Sequence, residues 1–188
     1  MARKYDLSKD QLDEYALKSH QLAIAATRAK AFDEEIVPVQ IRRAPAPGGE
    51  VATPEATEDL HTIDEGIRFD ASIEGIRGVK LLAEGGRVTA ATASQVCDGA
   101  AGVMIVNERG LKKLGAKPLA RIHHMSVMGH DPVIMLEAPL PATQNALRKA
   151  GLRIDDIDLF EVNEAFAPVP LAWLKVTGAD PERLRAGR

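Results

Sequence analysis

The stretch EVNEAFAPVP, Glu161 to Pro170, raises the question on which the fold turns: two polar side chains, Asn163 and Glu164, follow an apolar run and come just before two prolines. Residues 157–162 read as a strand that delivers Asn163 into a turn. A helix running straight on from Asn163 would carry Pro168 and Pro170 in its interior, where they remove amide donors and clash with preceding carbonyls. The spacing therefore predicts a helix that starts near Pro168 and leaves residues 163–167 as the turn. A neutral amide at the mouth of a buried strand cannot serve as a general base, but it can fix a water or donate to an oxygen that gains negative charge. Asparagine also suits such a junction for backbone reasons, as a turn residue or a helix cap.

Working outward, the order from about residue 97 is strand, helix, strand, helix, strand, helix, which predicts an α/β layered core. Val103 to Val106 is a short apolar run of the kind found in strands buried on both faces, and small residues dominate positions 89–102 before it. Glu108 to Leu114 reads as a helix closed by Gly115, and Ala120 to Met128 as a strand. Pro141 at a first turn, with Ala146, Leu147 and Ala150, predicts a helix that Gly151 terminates. At the other end, Ser8 and Gln11 form the S-x-x-Q of a capping box, and Leu12, Tyr15, Ala16, Leu22, Ala23 and Ala26 follow at helical spacing, giving an amphipathic helix over residues 8–31. Residues 35–42 read as a short strand and residues 44–66 as a long loop rich in Pro, Gly, Ala and acids. Ser72 caps a short helix carrying Ile73, Ile76 and Val79 that stops near Gly85-Gly86.

The 188 residues are 45% hydrophobic and 27% charged, within the globular range. Lys+Arg 24 against Asp+Glu 27 gives a formal net charge of -3, and no basic run interleaved with aromatics occurs, which argues against nucleic acid as a partner. No apolar run approaches the roughly 20 residues that span a bilayer, and MARKYDLSKDQLDEY lacks the apolar core of a signal peptide, so the expected location is cytoplasmic. The single cysteine, Cys97, excludes an internal disulfide framework and a multi-Cys metal site. Its neighbours Val96, Asp98, Gly99 and Ala100 supply no cation to activate a thiolate, so Cys97 reads as a buried small hydrophobe. His123, His124, His130 and Asp131 resemble a ligand set, but on a strand His123 and His124 would point to opposite faces, and no metal is expected. His20, beside the apolar row of the first helix, reads as a structural histidine. The glycines around Gly85-Gly86 match neither phosphate-loop spacing, and no G-x-S-x-G surrounds Ser94.

VNEAFA, Val162 to Ala167, resembles the NEAFA motif of the thiolases, the acetyl-CoA acetyltransferase and acetyl-CoA acyltransferase family. Three further blocks agree with it in order and spacing up to about Leu184. GRVTAATASQVCDGAAGVMIVNE, Gly86 to Glu108, is similar to the family's T-x-x-N-A-S-x-x-x-D-G-A followed by an apolar strand. MGHDPVIMLEAPLPATQNALRKAGL, Met128 to Leu152, resembles its G-x-D-P-x-x-M segment and the helix after it. SKDQLDEYALKSHQLA, Ser8 to Ala23, is similar to the helix that opens its loop domain.

The resemblance implies a partial thiolase fold, a layered α/β/α core with a loop domain. Residues 1–94 would be part of the loop domain, 95–117 the returning end of the N-terminal domain, 118–184 the first part of the C-terminal domain, and 185–188 an unrelated tail. It also implies CoA-dependent cleavage of a 3-oxoacyl-CoA, or the reverse condensation of acetyl-CoA units, with CoA as a substrate and no further cofactor. Carried over by motif, Asn163 matches the asparagine that holds an oxyanion-hole water and Ser94 the serine that touches the pantetheine arm. Ala90, Met135, Ala165 and Phe166 match the acyl and pantetheine tunnel. Lys80 falls near a basic position facing CoA phosphates, although the family's R-P-x-F reads Lys80-Leu81-Leu82 here. APVPLAWL suggests the branch that works in fatty-acid or steroid side-chain β-oxidation, and full-length relatives are expected to be homodimers or homotetramers. Cys97 matches a non-catalytic position, and the family's nucleophile block and its His and terminal Cys blocks do not occur in the sequence. The expectation is a middle fragment that is inactive alone, the alternative being a non-catalytic CoA- or acyl-binding module or a pseudogene remnant.

Overall fold

The computed structural model describes residues 1–43 and 54–184. Helix α1 spans Lys9–Arg28, and its start is the capping box read from the sequence: Gln11 N–H donates to Ser8 Oγ at 3.1 Å and Ser8 N–H to Gln11 Oε1 at 2.8 Å. The helix ends at Arg28, short of residue 31, and Lys30 turns the chain with φ +58. One face of α1 buries Leu12, Asp13 and Ala16. Asp13 is fully buried and accepts from Lys9 Nζ at 2.6 Å, and the same ammonium reaches Arg77 O at 3.3 Å. A buried carboxylate is tolerable only when paired, and this pair also joins α1 to α2, Ile73–Arg77. Helix α2 is capped by Ser72 Oγ as expected, but it stops at Gly78 rather than at Gly85-Gly86.

Helices α3 (Glu108–Leu114), α4 (Pro139–Ala150) and α5 (Pro168–Thr177) each end on a left-handed glycine, Gly115, Gly151 and Gly178. That conformation carries no steric penalty only for glycine. Proline opens both α4 and α5, where its missing amide proton would have had no intrahelical acceptor. The expected start of α5 at Pro168 is thus met, and Pro141 falls in the first turn of α4, which begins at Pro139.

The core forms where α5 meets everything else. Trp173, 2% exposed, packs at 4.9 Å between ring centroids on Phe160, and its Nε1 donates to Thr143 Oγ1 of α4 at 2.9 Å. Leu140, Val162, Val169 and Ala179 complete this cluster, and Ala2, Leu7, Leu12, Ala167 and Ala172 form a second one beside it. Met1 and Tyr5 pack against both clusters. Residues 1–7 are fixed by polar contacts as well: Lys175 Nζ donates to Tyr5 O at 2.8 Å, Arg87 to Leu7 O at 2.6 Å, Arg3 to Gly85 O at 2.6 Å, and Lys4 to Glu137 Oε2 at 2.8 Å.

Strands are where the sequence reading and the structure part. β1, Val39–Arg43, begins directly after Pro38, which has no amide to give a ladder. It pairs antiparallel with β2, Glu55–His61, so part of the segment read as a loop is a strand; residues 44–53 lie outside the described residues, as do residues 185–188. Both strands are exposed almost throughout, and β2 carries no apolar alternation that would have announced it. Residues 103–106, expected as a strand buried on both faces, form no strand, and Val103, Met104 and Ile105 are 73–86% exposed. Residues 120–128 form none either, and 157–162 contribute a single parallel bridge, Phe160 with Leu184. A strand exists through its partner's hydrogen bonds, and among the described residues no other strand lies beside these segments. Cys97, in the same unpaired region, is exposed and not the buried hydrophobe its neighbours suggested. Among the described residues no helix is long and apolar enough to cross a membrane.

Truncating Trp173 to Ala removes the ring that joins α4, α5 and Phe160 and the bond it donates to Thr143, whose hydroxyl keeps its own bond to Pro139 O at 2.8 Å. The expected loss is about 3–5 kcal/mol, read from urea unfolding followed by circular dichroism. A loss below about 1 kcal/mol would contradict the packing described. Glu137 supplies a second test. Its carboxyl is held down at about 2, first by hydrogen bonding from Lys4 and further by His130 and Tyr5, against the opposing effect of burial. A depressed folded pKa contributes stability above the unfolded value near 4.5 and loses it as pH falls toward about 2. Acid titration of the melting temperature should therefore fall less steeply across that window in Glu137→Gln than in the unaltered chain.

Candidate active site

Three stretches meet in front of Asn163. The first is the face of α1 that carries Tyr15, Ser19 and His20; Tyr15 and Ser19 are one turn apart and so stand one above the other. The second is the 3-10 turn Ala90–Thr92 and the residues after it. Thr92 is buried, and its hydroxyl accepts from Thr89 N–H at 2.9 Å, which closes the turn. The third is the turn from Asn163 to Ala167. The second and third pair as a short antiparallel bridge, Ala93 with Phe166: Ser94 N–H donates to Ala165 O at 3.0 Å, and Ala167 N–H donates to Thr92 O at 2.9 Å. Val162 and Ala167 are buried on either side of the turn, so the polar residues between them project from an anchored base.

A cavity of about 330 Å³ opens among these stretches, lined by Tyr15, Ser19, His20, Thr92, Ser94, Gln95, Asn163 and Glu164 with three alanines. Glu164 binds α1 across it: Tyr15 Oη donates to Oε1 at 2.6 Å and Ser19 Oγ to Oε2 at 2.7 Å. Burial, followed by the Glu164 hydrogen bond and charge, pushes the Tyr15 hydroxyl well above the usual phenol range, so it stays protonated and keeps donating. His20 titrates below its ordinary value, chiefly through burial and then through the nearby charge of Arg68, against an opposing pull from Glu164. At neutral pH its imidazole is uncharged and offers one donor and one acceptor. The cavity thus presents the Asn163 and Gln95 amides, the Ser94 hydroxyl and a neutral imidazole, beside a Glu164 carboxylate already taken up by Tyr15 and Ser19. Such groups can hydrogen-bond a polar neutral ligand.

Of the residues singled out in the sequence, Asn163 and Ser94 line this cavity together. Ala165 and Phe166 form the bridge that frames it and do not line it. Ala90 is exposed on the 3-10 turn below, and Met135, 63% exposed, sits on the 3-10 turn before α4; neither reaches the cavity. Lys80 is exposed and lies outside it. His123 and His124 are exposed, whereas His130 Nε2 lies 3.1 Å from Glu137 Oε2. Asp131 Oδ1 accepts from the amides of Val133 at 2.7 Å and Ile134 at 3.1 Å, which lowers its pKa and commits it to a local turn. Among the described residues no group of three or more His, Cys, Asp and Glu is placed to hold a metal ion. Tyr15, Ser19 and Glu164 escaped the sequence reading as site residues, and His20, read there as structural, faces the cavity. The spacing of Tyr15 and Ser19 on one helical face was visible, but their partner lies 149 and 145 residues away.

Comparison with known proteins accounts for this arrangement. The family model described as "Thiolase, N-terminal domain" matches residues 1–109, and "Thiolase, C-terminal domain" matches residues 116–186. The steroid 3-ketoacyl-CoA thiolase FadA6 of Mycobacterium tuberculosis is 46% identical over 184 residues, which is 98% of this chain and 41% of that protein. A 3-ketoacyl-CoA thiolase of Yersinia enterocolitica is 41% identical over 95% of this chain and 44% of its own length. Among solved structures, human mitochondrial 3-ketoacyl-CoA thiolase in complex with CoA superimposes with a TM-score of 0.86 at 36% identity, covering 99% of this chain and 44% of that one. The acetyl-CoA acetyltransferase of Bacillus anthracis gives 0.86 at 36% identity, covering 99% and 45%. The chain spans less than half the length of these relatives and follows their α/β fold over almost all of its own. With both family domains matched in order, and with the NEAFA turn seated against the Ser94 segment, the chain belongs to the thiolase family.

Proposed function

We propose that this chain carries the oxyanion-side part of a thiolase site, acting on CoA thioesters in the cleavage of a 3-oxoacyl-CoA or in the reverse condensation. The observation that supports this most is the pairing of Ala93 with Phe166, which sets Ser94 and Asn163 on one cavity. In the cleavage direction a thiolate adds to the 3-oxo carbon, the bond between C2 and C3 breaks, and acetyl-CoA leaves once its carbanion takes a proton; a CoA thiol then accepts the acyl group and frees the thiolate. Asn163 is suited to hold a water against an oxygen that gains charge in these steps, and Ser94 to hydrogen-bond the amide-bearing arm of CoA. CoA enters as a substrate in this scheme, with no other cofactor assigned.

No thiol lines the cavity, because Cys97 is the only cysteine and is not among the lining residues. The chain alone therefore binds and does not turn over, and the nucleophile has to come from outside these residues. This favours, as the second reading, a CoA- or acyl-binding role without catalysis. Steroid or fatty-acyl substrates are both compatible with the relatives named above. A cytoplasmic setting fits a lone exposed thiol, since reducing conditions keep such a group free.

Calorimetric titration of the chain with CoA at millimolar concentration should give saturable heat. Loss of one hydrogen bond in Ser94→Ala is expected to weaken binding about 2- to 10-fold. No 3-oxoacyl-CoA cleavage is expected from the chain by itself. Heat indistinguishable from dilution would remove the binding role, and turnover by the isolated chain would refute the assignment of the nucleophile to residues outside it.

A further inference from the structure

We propose that Glu164 is a positioning residue: its carboxylate, held by Tyr15 and Ser19 of α1, fixes the turn that carries Asn163 and so sets where the Asn163 amide meets a ligand. The role assigned to Asn163 rests on the functional reading above; the geometry of the clamp does not. Each carboxylate oxygen receives its own hydroxyl, at 2.6 Å from Tyr15 and 2.7 Å from Ser19. A carboxylate only accepts, so both hydroxyls are committed to donating and neither can rotate to serve another group without breaking the set. Tyr15 remains a donor throughout the neutral range, its proton retained by burial and by Glu164 itself.

The far end of the turn is held differently. Ala165 O and Ala167 N–H are tied by backbone hydrogen bonds to residues 92–94. Asn163 and Glu164 precede those ties, and the side chain of Glu164 is what joins this end to α1. With the clamp intact, Glu164 adds a side-chain tie to α1 next to Asn163; without it, Asn163 is held only through its chain neighbours, between buried Val162 and the Ala165 tie. Glutamine retains one acceptor oxygen and puts an amide donor in place of the other, so one hydroxyl must turn to accept, and alanine keeps neither bond. Glutamate, glutamine and alanine at position 164 therefore grade the constraint while leaving the backbone pairing of Ala93 and Phe166 in place.

The chain contains three asparagines, Asn107, Asn145 and Asn163, so selective 15N-asparagine labelling yields three side-chain amide pairs. The Asn163 pair is identified by its loss in Asn163→Asp. In Glu164→Ala, and equally in the double variant Tyr15→Phe with Ser19→Ala, the Asn163 pair should shift from its position in the unaltered chain. The Asn107 and Asn145 pairs should stay where they are, and Glu164→Gln should give a smaller shift. CoA affinity should fall about tenfold in Glu164→Ala and be partly regained in Glu164→Gln. An Asn163 signal that does not move in either the alanine or the double variant would overturn the proposal. Should Glu164→Ala fail to fold, the double variant, which keeps the carboxylate, decides. If the unaltered chain shows no CoA affinity, the functional reading fails, and the amide shifts alone judge the clamp.

Discussion

Two backbone hydrogen bonds, Ser94 N–H to Ala165 O and Ala167 N–H to Thr92 O, carry more of the molecule than their number suggests. They bring the 3-10 turn after Thr89 against the start of α5, and α5 in turn supplies the buried surface of Val169, Ala172 and Trp173. Because Ala167 is both a partner in this bridge and a member of the core, the cavity wall and the hydrophobic clusters are continuous. A backbone donor buried beside apolar side chains has no water to fall back on, so the bridge and the core are formed together or not at all. The placement of Asn163 follows from that coupling, since the residues on both sides of its turn are buried.

The features that were legible in the sequence are those decided within a few residues. The Ser8–Gln11 box, the glycines that end α3 and α4, and the proline that opens α5 all satisfy orphan groups of their own helix, and each is found where its chemistry places it. Strands are decided elsewhere. Val103 to Val106 has the composition of a buried strand, yet composition supplies only one side of a ladder, and among the described residues nothing lies opposite. The converse holds for Glu55–His61, whose acids and lack of alternation gave no strand signal but which pairs with Val39–Arg43. The environment of Cys97 was misread for the same reason: its burial depended on neighbours that only a completed sheet would bring.

The site divides along the same line. Asn163 and Ser94 were identified because each lies in a contiguous motif, and the structure brings both to one cavity. Ala90 and Met135, matched by motif to the acyl and pantetheine tunnel, stand away from that cavity. Tyr15 was counted among the apolar row of α1, which is correct for its ring and silent about its hydroxyl. Nothing local marks that hydroxyl as the donor to Glu164, because the acceptor reaches it only when the chain ends are folded together.

The way Met1 to Leu7 lies across both clusters bears on the order in which the molecule can be made. Lys175 donates to Tyr5 O across 170 residues of chain, and Met1 and Tyr5 touch side chains that belong to α5 or pack beside it. Synthesis at about 5–20 residues per second leaves residues 1–7 without these partners for roughly 10–30 s. During that interval α1 can form on its own cap, but the apolar residues around it have no surface to cover them. The core therefore closes only after the segment that carries Lys175 has been made, a long-range pairing of the kind that slows folding.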